Sequence, residues 1–368
     1  MTTSRRGFLT ACGAWGGSRV FRASVAAAPP ASDVPWLKEV QQPPDPLPDD
    51  APTLSNLLVS DQGKKIDSLE TWRPRRDRIS QQWKDFLQPL TAKRNPPRLT
   101  VLKEDRPQGV VRQLVRYESE PGQLVEGYLL KPDKITGRTA GVVVFHSTVN
   151  HTIRQPAGVE GKPEKAFALK LARLGYVCFC PRCFLWQGTG SYQQHVDRFK
   201  KRWPRSKGMA KMLFDGVRAL DVLESLPEVD SKRLGALGHS LGAKEALYLA
   251  ALDDRVAAAV SSEGGIGMRF SNWDASWYLG AEIREPNFPR AHHELLALIA
   301  PRPFLLVGGD SADGDRSWPF VASALPLYDL HGQPRRVGLL NHKRGHSVPP
   351  QAEQRINAWL QCYLPPSA

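Results

Sequence analysis

The stretch Gly238-His239-Ser240-Leu241-Gly242 constrains the fold more than any other part of the chain. The apolar run Arg233-Leu234-Gly235-Ala236-Leu237 before it has strand character. Residues 243–252 behind it are rich in helix formers and free of glycine and proline. A G-x-S-x-G between a strand and a helix is a turn so tight that side chains two residues either side of the serine would clash, hence Gly238 and Gly242. The turn lifts the Ser240 hydroxyl above the edge of a sheet. It also leaves the Leu241 amide at a helix N-terminus, where orphan N–H groups and the helix dipole favour a developing oxyanion.

Strands alternating with helices surround this turn. Residues 98–130 run as short alternating segments (98–102, 110–117, 124–130) between Pro/Gly turns, the pattern of antiparallel strands. Apolar runs at 140–145 and 176–180 predict buried strands, the first continuous enough to be buried on both faces, and 256–260, 303–307 and 336–340 predict further strands. Helical spacing at 165–174, 209–226, 316–331 and 350–362 fills the intervals. The chain therefore predicts an α/β class fold, a mostly parallel central sheet covered by helices on both faces. Cys178, Cys180 and Cys183 read as buried strand cysteines, with a disulfide inside the cluster as the alternative.

Upstream, residues 29–60 are rich in proline and aspartate and predict an extended, poorly ordered lead-in. Ile66, Leu69, Trp72, Ile79, Trp83, Phe86, Leu87 and Leu90 have helical spacing, divided or restarted at Pro74, and should dock a helical extension onto the main domain. Ser4-Arg5-Arg6-Gly7-Phe8-Leu9 followed by Ser24-Val25-Ala26-Ala27-Ala28 resembles a twin-arginine export signal cleaved after Ala27. The chain thus divides into a signal over 1–28, a linker and helical extension over 29–97, and a catalytic domain over 98–368, exported to a periplasm or beyond. No run of about 18 apolar residues exists to span a membrane. The formal charge of +13 falls to +9 without Arg5, Arg6, Arg19 and Arg22, and the remainder is spread over short clusters. That is a solvated basic face with no nucleic-acid partner expected, though it leaves open a non-catalytic fold that binds acidic polymers.

A serine hydroxyl needs a base, and the base needs a carboxylate to hold it. Two histidines lie between the last strand and the terminal helix. His346, after Gly345 and before the helix-start signal Val348-Pro349-Pro350, is the expected base, with His342 a loop residue. For the acid, Asp310, Asp313 and Asp315 crowd the loop after strand 304–309. Asp313 is preferred there, with Asp310 next. Glu263, after strand 256–260, is the rival. The second oxyanion donor should follow strand 140–145, from Ser147 or Thr148. Residues 264–293 read as a small cap whose Trp273, Trp277 and Asn272, joined by Trp186, could meet a sugar. His146 and His151 lack acidic or cysteine company, so no metal is expected, and no cofactor is implied.

Residues 100–365 resemble the dienelactone hydrolase and acetyl xylan esterase-like branch of the α/β-hydrolases, most specifically at Gly238–Gly242, Pro301-Arg302-Pro303 and Gly345-His346. The order Ser…acid…His is that of the α/β-hydrolase fold. The setting of Glu263 resembles the acid-bearing segment of fungal-type glucuronoyl esterases, whose arginine after the nucleophile is Leu241 here. Dienelactone hydrolases proper use cysteine where this chain has Ser240. The resemblance implies a serine esterase acting on small-molecule or carbohydrate esters. A prolyl-oligopeptidase-like peptidase is the alternative, against which residues 29–97 are too short to form a propeller.

Overall fold

Phe145, His239, Ser262, Gly308 and Asn341 are the C-terminal ends of five adjacent parallel strands in a nine-stranded sheet of the computed structural model, which describes residues 32–367. The expected export signal lies outside the described residues. The strands are β1 (Thr100–Asp105), β2 (Val110–Glu120), β3 (Gln123–Pro132), β4 (Thr139–Phe145), β5 (Val177–Pro181), β6 (Val229–His239), β7 (Val256–Ser262), β8 (Phe304–Gly308) and β9 (Val337–Asn341). Their order is β1-β2-β3-β5-β4-β6-β7-β8-β9. The first three are antiparallel to their neighbours and the remaining six run parallel. The chain turns from β4 to β5 on one side and later to β6 on the other, so the crevice beyond β4 and β6 is a topological switch point.

The helices are α1 (Leu69–Leu87), α2 (Phe167–Arg173), α3 (Tyr192–Arg202), α4 (Gly208–Ser225), α5 (Leu241–Leu252), α6 (His293–Ile299), α7 (Trp318–Leu330) and α8 (Pro350–Tyr363). The period-2 alternation of the central strands divides the interior into two cores. In β4, Val143 and Phe145 join one core with residues of α1 and α3–α7. Ala140, Val142 and Val144 join the other, with α2 and α8. Cys178 and Cys180 point into the second core and Cys183 into the first, and all three thiols are free.

The lead-in departs from expectation. Val34, Leu37 and Val40 are buried against the α8 face, Trp36 packs 5.9 Å from Trp359, and Gln41 Nε2 donates to the Val337 carbonyl at 3.1 Å. A Cβ on Gly338 would lie 2.3 Å from Val40, so that glycine makes room for the strap. Three apolar residues three apart outweigh the surrounding prolines. Helix α1 also runs unbroken through Pro74, capped by Ser68 and Thr71. The carbonyl that Pro74 leaves unpaired belongs to Glu70, on an exposed turn open to water. Trp72, Ile79 and Trp83 on the opposite face are fully buried, and Trp83 Nε1 donates to Glu294 at 2.9 Å, fastening α1 to α6.

Residues 264–292 carry only one 3-10 turn, Ala281–Arg284, and lie as an irregular excursion over α5. Among the described residues no helix is long and apolar enough to cross a membrane.

Candidate active site

At the end of β6 the chain meets a close approach that only glycine permits. A Cβ on Gly238 would sit 2.0 Å from the Gly242 carbonyl oxygen, and one on Gly242 would sit 2.6 Å from the Phe145 oxygen. Between them Ser240 takes φ 61°, ψ −119°, a conformation that costs a non-glycine residue about 1–3 kcal/mol and clusters at functional sites. Its amide donates to the Ser262 carbonyl at 2.8 Å, which ties the strained residue to β7. Helix α5 starts at the next residue, so the Leu241 amide opens it. Among the described residues that amide has no acceptor.

Glu263 follows β7 at φ 56° and is buried. Its Oε1 accepts from the Gly309 amide, and its Oε2 accepts from the Ala312 amide at 2.8 Å. Oε2 also lies 3.0 Å from His346 Nδ1. A proton on Nδ1 directed at this carboxylate leaves Nε2 with its lone pair free, the form a base requires. The His346 side chain is 42% exposed, so its free edge faces the solvent side of the site. The loop that carries it crosses the β8 loop at Gly345 and Gly309, whose backbones bond at 2.6 Å. A Cβ on Gly309 would lie 2.1 Å from the Gly345 oxygen.

Asp313, preferred from the sequence as the acid, takes a different position. Its carboxylate accepts from the Gly265 and Ile266 amides, each at 2.7 Å, and from Ser317 Oγ at 2.9 Å. Burial pushes its pKa up, against the pull of those two amides. The residue anchors the start of the 264–292 excursion and makes no hydrogen bond to His346. Asp310 is exposed, at φ 64°, and accepts from Asn341 Nδ2 at 2.6 Å. His342 accepts the Arg344 amide at 3.2 Å within its own loop.

Beyond β4, the Ser147 amide is engaged by Gln155 Oε1 at 3.2 Å. Two groups there lack partners among the described residues: the buried Ser147 hydroxyl and the amide of exposed Thr148. His146 is held in one tautomer: Nδ1 contacts the Ser147 carbonyl at 2.7 Å and Nε2 accepts from the Cys183 amide at 3.1 Å. Burial lowers its pKa to about 4, so the ring stays neutral and structural.

The expected sugar-facing residues divide. Trp273 is fully buried, donates to the Gly265 carbonyl at 2.5 Å and lies under the Lys244 ammonium at 3.9 Å. It is core, with no free face for a ligand. Trp186 and Trp277 are half-buried, and Asn272 is exposed. Tyr192, which sequence reasoning missed, packs 4.9 Å from Trp186 and 5.7 Å from Trp277, while Trp186 lies 5.1 Å from His146. These rings make an aromatic row leading away from the end of β4.

A second group was also missed. Lys165 Nζ lies 3.0 Å from His239 Nε2 and 3.4 Å from the His346 carbonyl, and His239 Nδ1 lies 3.0 Å from Ser262 Oγ. The His239 and His346 rings are 4.7 Å apart. Burial, then the Lys165 charge, holds His239 well below the ordinary imidazole pKa. His239 sits within the elbow itself, the one sequence signal that pointed to it.

Residues 125–283 match the dienelactone hydrolase family. A Bacillus subtilis protein named as a hydrolase, YtaP, is 27% identical over 221 residues, 57% of this chain and 72% of its own length. The 4-O-methyl-glucuronoyl methylesterase of Schizophyllum commune is 26% identical over 184 residues, 40% of this chain and 45% of its own. Among solved structures, a glucuronoyl esterase from Solibacter usitatus is similar with a TM-score of 0.69 at 18% identity, covering 87% of this chain and 100% of that one. The structural likeness establishes the fold.

Proposed function

We propose, from the premise that this chain belongs to the α/β-hydrolase superfamily, that it is a serine carboxylic-ester hydrolase whose substrates are carbohydrate esters. One observation carries the reading: a serine strained onto a helix N-terminus, whose preceding residue His239 has its ring 4.7 Å from that of His346, a histidine whose Nδ1 is held 3.0 Å from a buried carboxylate. In this mechanism His346 Nε2 takes the Ser240 hydroxyl proton as Oγ attacks the acyl carbon. The carbonyl oxygen gains the electron pair and is met by the Leu241 amide, with the Thr148 amide or the Ser147 hydroxyl as second donor. Collapse of the tetrahedral intermediate expels the alcohol, which receives the proton from His346. Water, deprotonated by the same histidine, then releases the acid and restores Ser240. Glu263 holds the imidazole and stabilises its charge in both halves.

The carbohydrate assignment rests on two supports. A sequence relative is named as a 4-O-methyl-glucuronoyl methylesterase and a structural neighbour as a glucuronoyl esterase, and the half-buried Trp186, Tyr192 and Trp277 form an amphipathic row suited to sugar faces. The twin arginines Arg5-Arg6 support export, where such polymers are met.

Labelling with a serine-directed fluorophosphonate, followed by peptide mass analysis, tests the mechanism. The expected result is one adduct on the peptide holding Ser240, with p-nitrophenyl acetate hydrolysis lost in Ser240→Ala. Hydrolysis that persists in Ser240→Ala would overturn it.

A further inference from the structure

Outside the site described above, a cavity of about 930 Å³ opens between α3 and the β2–β3 hairpin. It lies at the upper end of the range of about 300–1,000 Å³ typical of ligand sites. Trp186 is the wall it shares with the aromatic row, so a chain-like substrate leaving the catalytic serine along that row would arrive here.

Charge sets the cavity apart. Six cationic side chains and two carboxylates line it; Lys211 is also paired with buried Asp215 behind the wall at 2.6 Å, which leaves an excess of three positive charges. Glu126 is shared by Arg116 at 3.2 Å and Arg182 at 2.9 Å. Buried Glu120 is shared by Lys211 at 2.8 Å and Arg202 at 3.2 Å, and also accepts from Trp203 Nε1 at 2.8 Å. Each carboxylate is thus engaged by two cations.

Arg198 and Lys201 have no carboxylate partner among the described residues. The spacing of His195, Arg198, Phe199 and Arg202 turns one face of α3 toward the cavity. The Arg198 guanidinium is steadied from behind, 2.7 Å from His195 Nδ1 and 2.9 Å from the Thr189 carbonyl. Those two contacts use the Nη2 protons, and the Nε and Nη1 protons remain, with the Lys201 ammonium, to donate to a carboxylate in the cavity. Trp186 and Trp203 add ring surface for a pyranose.

We propose that this cavity is an accessory subsite for a carboxylate-bearing sugar, so that the enzyme prefers esters on acidic polysaccharide chains. The proposal rests on the carbohydrate-esterase reading, and it assigns recognition of charge to α3, away from the nucleophile.

The probes are a galacturonate hexamer, uncharged xylohexaose and an oligothymidylate, titrated calorimetrically into the wild type and into Arg198→Gln/Lys201→Gln. Both exchanged residues are exposed, so the fold should hold, which the melting temperature checks. The galacturonate hexamer should bind more tightly than xylohexaose, weaken with salt, and lose roughly ten-fold in affinity in the double variant, as expected for two partly exposed charge-assisted contacts. Hydrolysis of p-nitrophenyl acetate should be unchanged. Equal binding of the charged and neutral hexamers, undiminished binding in the double variant, or equal binding of oligothymidylate would each overturn the proposal. Failure of the wild type to hydrolyse any acyl ester would instead sink the esterase reading, while the binding result stands by itself.

Discussion

Exchanging Glu263 for glutamine and Asp313 for asparagine separates two buried carboxylates that a sequence cannot tell apart. Three donors converge on Glu263: the Gly309 amide, the Ala312 amide and His346 Nδ1. Glutamine has the same shape but only one acceptor oxygen. If its NH₂ replaces Oε2, it faces His346 Nδ1 and forces the proton onto Nε2, which abolishes the base. If its NH₂ replaces Oε1, it faces the Gly309 amide, and a buried donor is left unpaired at a cost of about 1–3 kcal/mol. Even then the imidazolium formed during catalysis loses its counter-charge. The expected fall in kcat is roughly 10³–10⁴-fold, about 4–5.5 kcal/mol of transition-state stabilisation. Asp313 also receives three donors, from Gly265, Ile266 and Ser317, but none belongs to the proton-transfer machinery. Asp313→Asn should therefore cost about 1–3 kcal/mol of stability, while kcat per folded molecule changes only a few-fold. The assay pairs p-nitrophenyl acetate kinetics with urea unfolding of both variants. A folded Asp313→Asn protein without turnover, beside an active Glu263→Gln protein, would refute the assignment.

Three further substitutions have outcomes that follow from the geometry. Lys165→Met removes the donor shared by His239 and the His346 carbonyl, and should lower kcat roughly ten-fold with KM little changed. The same variant should move the His239 imidazole pKa upward in an NMR titration, because its cationic neighbour is gone, and an unmoved resonance would exclude the contact. Burial lowers the Lys244 pKa to about 7, against about 10.4 in an unfolded chain, so between these values the unfolded state holds the extra proton and wild-type stability rises with pH. Lys244→Met should stabilise the protein by about 2–4 kcal/mol below pH 7, after allowing for the lost Trp273 cation–π contact, with the gain vanishing near pH 10 in urea melts. Gly238→Ala would drive a Cβ to 2.0 Å from a backbone oxygen, and should cost roughly 3 kcal/mol or more with loss of turnover, read by thermal unfolding.

The architecture was legible because its signals are local. The elbow needs two glycines within five residues, and the buried parallel strands need only continuous apolar runs such as Val142–Phe145. Elements whose stability comes from partners were less so. Helix α3 opens on a Ser191–Gln194 capping box but is mostly polar, and its buried side chains are only His195, Val196 and Phe199. The lead-in shows its prolines plainly, whereas the groove that receives Val34, Leu37 and Val40 exists only after α8 and β9 have come together.

The site divides along the same line, between what one segment specifies and what several segments build together. Ser240 and Leu241 follow from a single turn, and Gly345-His346 from a single loop. The partner of His346 depends on two loops meeting. Glu263 reaches Nδ1 because the β7 and β8 ends are in register at Ser262 and Val307, and because the Gly309 and Ala312 amides fix its carboxylate from across that register. The three aspartates at 310–315 present more acid per residue, but that density has local uses: Asp310 and Asp315 both take Asn341 Nδ2, and Asp313 holds the loop that leads to Trp273. The aromatic residues obey the same logic. Trp273 and Trp277 are four residues apart in one loop, yet one is sealed beneath Lys244 and the other contributes to the row beside Tyr192. Composition identifies rings able to meet a sugar; only the packing of that loop on α5 decides which of them retains a face to offer.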